Sequence, residues 1–212
     1  MTHKFGIKNK FEIQYNLVPN QGEGIFCESW GSFKMLVNGV DICEYTDYEN
    51  TKDYTWNLYF IIEWLCEKMQ YIIGYDPFPL PIQADTVTNL IEKANEFVTD
   101  DDVEEYLWFQ AKSLWTSKHS WFSNRGGSVL TNTYFRRVDE QVEISWCNDF
   151  WFEKGIKFVN PRGCFIMPKS EFKKVIFDFL KNILNELETK TSCKADEEKL
   201  LEWKKAIQLF EP

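Results

Sequence analysis

Histidine and arginine are scarce in this chain of 212 residues, which holds two of the first and four of the second. Histidine is the usual proton carrier near neutral pH, and only His3 and His119 are available. No His-Glu-x-x-His pair, phosphate-binding loop, dinucleotide turn or Gly-x-Ser-x-Gly elbow occurs in the sequence. We therefore expect no metal and no cofactor, and the common ATPase, dehydrogenase and hydrolase mechanisms lack their motifs.

Long apolar runs, Cys-x-x-Cys pairs and basic clusters are also missing. No apolar stretch follows the first lysines, so we expect no secretory signal and reduced thiols in a cytoplasm. Twenty-four Lys and Arg against thirty-three Asp and Glu give a net charge of -9. This charge argues against nucleic acid and membrane as partners. It suits a basic protein partner, although solubility alone explains it equally well.

The apolar patterns that are present predict strands in two hairpins. Hydrophobic residues make up 44% of the chain, which is enough for residues 1–212 to form a single domain. Asn38-Gly39 supplies the positive φ angles of a type I′ turn and predicts a hairpin over residues 32–45. A second hairpin is predicted over residues 128–147. The first hairpin is expected to turn these side chains inward: Phe33, Met35, Val37, Val40 and Ile42.

Apolar residues at helical spacing predict a long apolar helix over residues 54–73 and an amphipathic helix over residues 170–188, capped by Ser170. Another helix is expected after three aspartates, with Val103, Leu107, Ala111 and Leu114 as its buried stripe. Residues 189–212 are expected to hold a charged, peripheral C-terminal helix. Because strands cluster in hairpins, we predict the α+β class, with a mostly antiparallel sheet packed against the two apolar helices.

One segment combines side chains that suit ligand binding. Residues 118–127 bring together an imidazole, hydroxyls, a guanidinium and two glycines between a helix end and a hairpin. The arginines of the hairpin hold carboxylates or phosphates well. His119 is the candidate for catalysis, if there is any. The predicted ligand-binding residues are His119, Trp121, Arg125, Gly126, Gly127, Arg136, Arg137, Glu143 and Trp146.

A structural interpretation explains the same residues without a ligand. In it, His119 caps the preceding helix, the glycine pair forms a turn, and Arg136 pairs with Glu143 across the strands. Neighbouring residues of a strand face opposite sides, so Arg136 and Arg137 cannot share one partner face. The nine tryptophans also allow two roles, as partner anchors or as core. Those placed at strand ends or in loops are Trp30, Trp121, Trp146 and Trp151.

Several short motifs carry a resemblance. They are Trp30-Gly31, Asn38-Gly39, Trp56, Glu63-Trp64, His119-Ser-Trp121, Arg125-Gly-Gly127, Tyr134-Phe-Arg-Arg137 and Glu143-Ile-Ser-Trp146. Over residues 28–150 the chain resembles an uncharacterised bacterial domain found in longer proteins, some bearing a zinc metallopeptidase of the ImmA/IrrE type. The peptidase motif is absent, so the resemblance does not imply that activity. It implies a sensing or docking module in phage defence or stress response.

Three functions follow as hypotheses. The first is a non-enzymatic, cytoplasmic binding module of a bacterial defence or toxin-control system that recognises a protein or a small anionic ligand. The second is an enzyme of unfamiliar type with His119 as acid/base and Arg125 or Arg136 holding an anionic substrate. The third is an acidic inhibitor or immunity protein against a basic toxin.

Overall fold

The computed structural model describes residues 1–18, 22–149, 153–191 and 193–212, and its fold is α+β with antiparallel sheets. The helices are α1 (Ile25–Glu28), α2 (Tyr59–Ile73), α3 (Val87–Asn95), α4 (Asp102–His119), a 3₁₀ helix (Trp121–Asn124), α5 (Lys169–Glu188) and α6 (Lys194–Gln208). The strands are β1 (His3–Ile7), β2 (Phe11–Leu17), β3 (Trp30–Val37), β4 (Val40–Asp41), β5 (Tyr45–Asp47), β6 (Asn50–Lys52), β7 (Thr55–Asn57), β8 (Thr133–Val138), β9 (Gln141–Cys147), β10 (Ile156–Phe158) and β11 (Arg162–Pro168).

The largest sheet is built on β2 and β3, which pair antiparallel from Phe11 opposite Val37 to Leu17 opposite Gly31. Strand β1 extends the β2 edge, and β4 and β7 both pair with β3. The turn between β3 and β4 has positive φ at Asn38 and Gly39, as predicted. The hairpin is shorter than residues 32–45, because β5 leaves it to join β6 and β10 in a second sheet.

The third sheet has the order β11-β9-β8 and contains the second predicted hairpin. Asp139 takes a positive φ at the turn, and Arg136 stands opposite Glu143. One face of this sheet carries Phe135, Val142 and Ile144 into the main hydrophobic core. The other face packs against α3.

Helix α5 lies at the centre of the core. It contacts β1 and β2 of the first sheet and also β9 and β11 of the third. Every apolar position predicted for this helix is buried: Phe172, Val175, Ile176, Phe179, Leu180, Ile183, Leu184 and Leu187. Burial of an aliphatic or aromatic side chain stabilises a fold by about 1.5–3 kcal/mol. This helix therefore holds the sheets together.

Four further expectations need correction. The helix predicted over residues 54–73 begins only at Tyr59, because Thr55–Asn57 pair with β3 and the Asn57 side chain accepts a hydrogen bond from Tyr59 N. Ser170 does not cap α5, since Pro168 is its N-cap. Val40 is exposed, because β4 is only two residues long.

The fourth correction concerns α4. Of its predicted buried stripe, Val103, Leu107 and Leu114 are exposed and Ala111 is half-buried. The side chains that α4 buries fully are Trp115 and His119. Its opposite face therefore meets solvent.

The C-terminal helix α6 buries Leu200, Trp203 and Ile207 in the same hydrophobic cluster as α2 and α5. The division into one domain over residues 1–212 with a peripheral end stays a prediction. Within the described ranges, no helix has the length and apolar character needed to cross a bilayer.

Candidate functional site

His119 is the last residue of α4, and its side chain is buried. Its Nδ1 lies 2.7 Å from Phe135 O and its Nε2 lies 3.2 Å from Asp76 Oδ2. The ring stacks on Trp115 with centroids 3.9 Å apart. Burial lowers the pKa of His119, although the hydrogen bonds to Phe135 O and to the Asp76 carboxylate act in the opposite direction and raise it. The imidazole thus ties α4 to β8 and to the loop after α2, and it does not cap its own helix.

Arg136, which is half-buried, and Glu143, which is buried, form an ion pair on the α3 side of the third sheet. Arg136 Nε donates to Glu143 Oε2 at 2.7 Å, and the Glu143 side chain is inaccessible to solvent. Glu143 Oε1 accepts from Val87 N at 2.7 Å, at the positive end of α3. Both carboxylate oxygens therefore have partners inside the fold. The predicted pairing is confirmed, and it attaches α3 to the sheet.

The other predicted residues do not converge on this pair. Arg137 lies on the opposite face and donates to Asp139 O at 2.6 Å. Trp121 Nε1 donates to Thr131 O, and Trp146 Nε1 donates to Asn160 O. Both indoles are buried, so they act as core. Trp30 packs against Trp56, and Trp151 lies outside the described residues.

The glycine pair forms a turn after the 3₁₀ helix. Gly126 has a φ of 60°, and a Cβ there would lie 2.3 Å from Phe60 Cε2. Gly127 has a φ of 79° and open space around it. The Arg125 guanidinium lies 4.2 Å from the centroid of the Phe122 ring. Whether any of the nine residues contacts a ligand stays a prediction.

A cleft of about 290 Å³ opens beside this segment, between α3, α4, the 3₁₀ helix and β8. It is rich in hydroxyl groups, and Lys112 is its cation. Its lining residues are Ile91, Lys112, Ser113, Thr116, Ser117, Ser120, Phe122, Ser123, Asn132 and Tyr134. Tyr134 Oη accepts from Asn132 Nδ2 at 3.1 Å, while Lys112 Nζ lies 4.3 Å from the Phe109 ring centroid. Most of its accessible lining is apolar, and its polar groups include hydroxyls and the Lys112 ammonium.

A second surface lies on the outer side of α4. We call Val103, Tyr106, Leu107, Gln110 and Leu114 the α4 outer face. Its apolar members are 67% (Val103), 63% (Tyr106), 55% (Leu107) and 59% (Leu114) exposed. Positions 103, 107, 110 and 114 follow the i, i+4, i+7, i+11 spacing of a helical stripe. This stripe is presented to solvent rather than to the core.

Acidic side chains surround one end of that face. We call Glu96, Asp100, Asp101, Asp102, Glu104 and Glu105 the acidic tip, and all of them are exposed. No lysine or arginine occurs from residue 94 to residue 111. Asp101 caps α4 by accepting hydrogen bonds from Val103 N and Glu104 N, so part of the charge is structural. Among the described residues, no group of three or more His, Cys, Asp or Glu is arranged to hold a metal ion.

No protein-family model matches the chain, and comparisons with curated proteins and with solved structures found no significant similarity. The resemblance over residues 28–150 therefore stays a prediction.

The α4 outer face was missed because two stripes compete on this helix. Trp108, Ala111, Trp115 and His119 also lie at helical spacing, and they form the side that packs inward. Trp108 Nε1 donates to Ala94 O, and Trp115 Nε1 donates to Asp76 O. Tryptophan buries about 150–250 Å². The larger side chains were the signal that could have identified the inward stripe.

Proposed function

We propose that this chain is a non-enzymatic binding module that docks a protein partner through the α4 outer face. The observation that carries the proposal is the exposure of Val103, Leu107 and Leu114 along one side of a well-anchored helix. Contiguous exposed apolar patches are uncommon on monomeric proteins and usually mark interaction sites. In α5, by contrast, the whole predicted apolar stripe is buried.

The environment of His119 supports a binding module over the enzyme alternative. The residue is 1% exposed, and both ring nitrogens face acceptors that belong to the protein. A general acid or base must come within hydrogen-bond reach of the substrate proton. In this geometry a substrate would have to displace Asp76 or Phe135 O. Arg136 does not supply an anion site either, because Glu143 and Asp85 O occupy its guanidinium.

The cellular setting that we propose is a bacterial defence or toxin-control system in the cytoplasm. This part rests on the resemblance carried by the short motifs over residues 28–150. The acidic tip is also compatible with the inhibitor or immunity hypothesis, since it would face a basic partner.

Site-specific photo-crosslinking in the native cell tests the docking proposal. A photoreactive amino acid replaces Tyr106 in one variant and Leu201 in a control, since Leu201 is also an exposed helical residue, at 53%. We expect a single identified protein to crosslink at position 106 and not at position 201. Adding Leu107→Asp should abolish the adduct. Identical adducts at both positions, or none at position 106, would contradict the proposal.

The hydroxyl-rich cleft favours a second candidate, the binding of a small anionic ligand near Lys112. Burial lowers the pKa of Lys112, and an anion placed beside its ammonium group would raise that pKa by favouring the charged form. Citrate and inorganic phosphate are suitable probes in a titration followed by the NMR signals of Ser120 and Tyr134. Shifts that persist in Lys112→Met would reject this site.

A further inference from the structure

We propose that the occupant of the α4 outer face is a basic amphipathic helix that lies antiparallel to α4. This inference rests on the proposed docking function and adds the chemistry and orientation of the partner. It is drawn from the spacing of the apolar stripe, from the charges beside it and from the direction of the helix.

The spacing points to a helix as the complementary element. The apolar members of the stripe are Val103, Leu107 and Leu114, at i, i+4 and i+11, with Gln110 at i+7 between them, and the stripe covers about 17 Å along the axis at 1.5 Å per residue. Helices recognise such a stripe by packing their own apolar ridge against it. An extended strand alternates with a period of two, so it would match only part of the stripe.

The charges select a basic partner. Asp102 and Glu104 flank Val103 in the sequence, so a rotation of 100° per residue places one on each side of the stripe. The remaining acids of the tip enlarge this negative field, and no basic residue offsets it between residues 94 and 111. Complementary charge speeds association and rejects partners of the same sign. An acidic helix or an anionic lipid surface would therefore be repelled.

A second copy of this chain fits less well. Parallel pairing of two outer faces would bring the two acidic tips together, and like charges that face each other destabilise a contact. In antiparallel pairing each acidic tip would face the Lys118 end of the other copy, where Asp76 already pairs with the ammonium group. The net charge of -9 adds long-range repulsion between copies. A basic helix meets the same apolar stripe without this repulsion.

The position of the acids sets the orientation. They lie at the N-terminal end of α4, whereas the C-terminal end carries Lys118 and Ser117 beside the stripe. Lysine and arginine stabilise a helix best in its last turn. A partner helix with a basic C-terminal half matches the acidic tip when the two helices run antiparallel, which also opposes their dipoles favourably.

Labelled synthetic helices provide the test, with the full-length chain as receptor. The first peptide has about 18 residues, Leu at i, i+4, i+7 and i+11, and Lys in its C-terminal half. The second has Glu in place of Lys, the third keeps the composition with scrambled spacing, and the fourth carries Lys in its N-terminal half. We expect the first to bind at least about tenfold more tightly than each of the others, measured by fluorescence anisotropy. Raising the ionic strength from about 0.05 M to about 0.5 M should weaken its binding.

Matched variants of the chain locate the contact. Leu107→Asp should weaken binding of the first peptide by about tenfold or more, whereas Leu201→Asp should leave it within about twofold. Asp102→Lys should weaken binding, whereas Glu197→Lys, in the first turn of α6, should not. Circular dichroism and thermal unfolding of each variant confirm that it is folded.

The outcomes separate this inference from the docking function. Equal or tighter binding of the acidic, scrambled or reversed peptide would overturn the inference. Self-association of the chain that Leu107→Asp abolishes would also overturn it. Binding to phosphatidylserine vesicles that Leu107→Asp abolishes would do the same. A different outcome is a photo-crosslink at position 106 to an identified protein through a segment that is not a basic helix. That result would support the docking function and refute this inference.

Discussion

The two ends of α4 differ in how completely their side chains are used by the fold. At the C-terminal end, Trp115 and His119 are buried and stacked, and both donate or accept hydrogen bonds across to Asp76. At the N-terminal end, Val103, Tyr106 and Leu107 are exposed, and the hydrogen bonds there are local, from Thr99 Oγ1 to Glu104 and from Val103 N to Asp101. The C-terminal end therefore holds the helix in the fold, and the N-terminal end exposes its apolar side chains to solvent.

This difference shows that the chemical type of a side chain does not by itself identify a functional residue. The imidazole, guanidinium and carboxylate groups that suit catalysis lie mainly at the anchored end and in the neighbouring sheet, where other parts of the protein satisfy them. The apolar side chains that suit a core are the ones left open. A comparison of the two ends by mutation therefore measures which groups stabilise the fold and which remain available for a partner.

The largest contrast is expected between two truncations on the same helix. Trp115→Ala should lower the free energy of unfolding by about 3–5 kcal/mol, because it removes a buried indole and leaves a cavity. Leu107→Ala should change it by less than about 0.5 kcal/mol, since the side chain is exposed. Urea unfolding followed by fluorescence or circular dichroism measures both. Similar losses for the two variants would show that the outer face is packed in solution.

The next contrast is between two glutamates. Glu143→Gln should destabilise the protein by about 3 kcal/mol, because it leaves the Arg136 guanidinium partly buried without its anion. The amide oxygen of the introduced glutamine can still accept a hydrogen bond from Val87 N, so the loss of stability measures mainly the removal of the negative charge. Glu105→Gln on the acidic tip is the control, and it should change stability by less than about 0.5 kcal/mol. Equal effects would mean that Glu143 is hydrated and available.

Much of the fold could be predicted because local patterns and tertiary packing agree. The Asn38-Gly39 turn and the α5 stripe each carry their own signal, and each is present in the structure. The β7 strand is different. Thr55 and Trp56 are residue types that favour strands, but the three residues Thr55–Asn57 are too few to give an alternating pattern, and they pair with β3 because the preceding chain returns to that edge. Such long-range pairing cannot be recognised from a short segment of sequence.

The candidate site was less predictable for two physical reasons. The pairing of Arg136 with Glu143 follows from strand register and was predicted, but Val87 N as the second partner of Glu143 comes from a distant helix. The choice of the inward face of α4 depends on which of two stripes buries more area against α2, α3 and the third sheet. Periodicity identified a stripe at Val103, Leu107 and Leu114, but it could not say which stripe the rest of the chain would cover.

The smallest expected effect is a pH dependence at the anchored end. Burial lowers the pKa of His119 in the folded state, whereas the unfolded state keeps a pKa of about 6.5. Below that pH the unfolded chain binds more protons than the folded one, so stability falls as the pH decreases. The charged groups that face the ring are Asp76 and Lys118. Asp41 acts in the opposite direction, since burial raises its pKa to about 6 and its protonation on acidification favours the folded state.

The comparison of wild type with His119→Gln separates these effects. Both proteins keep Asp41, so the difference between their free energies of unfolding at pH 7 and at pH 5 isolates the histidine. We expect the wild type to lose more stability on acidification than the variant. The α4 outer face contains no histidine, so peptide binding corrected for the folded fraction should change little over the same range. A wild type that gained stability relative to His119→Gln would show that Asp76 and Phe135 O outweigh burial and hold the ring as an imidazolium.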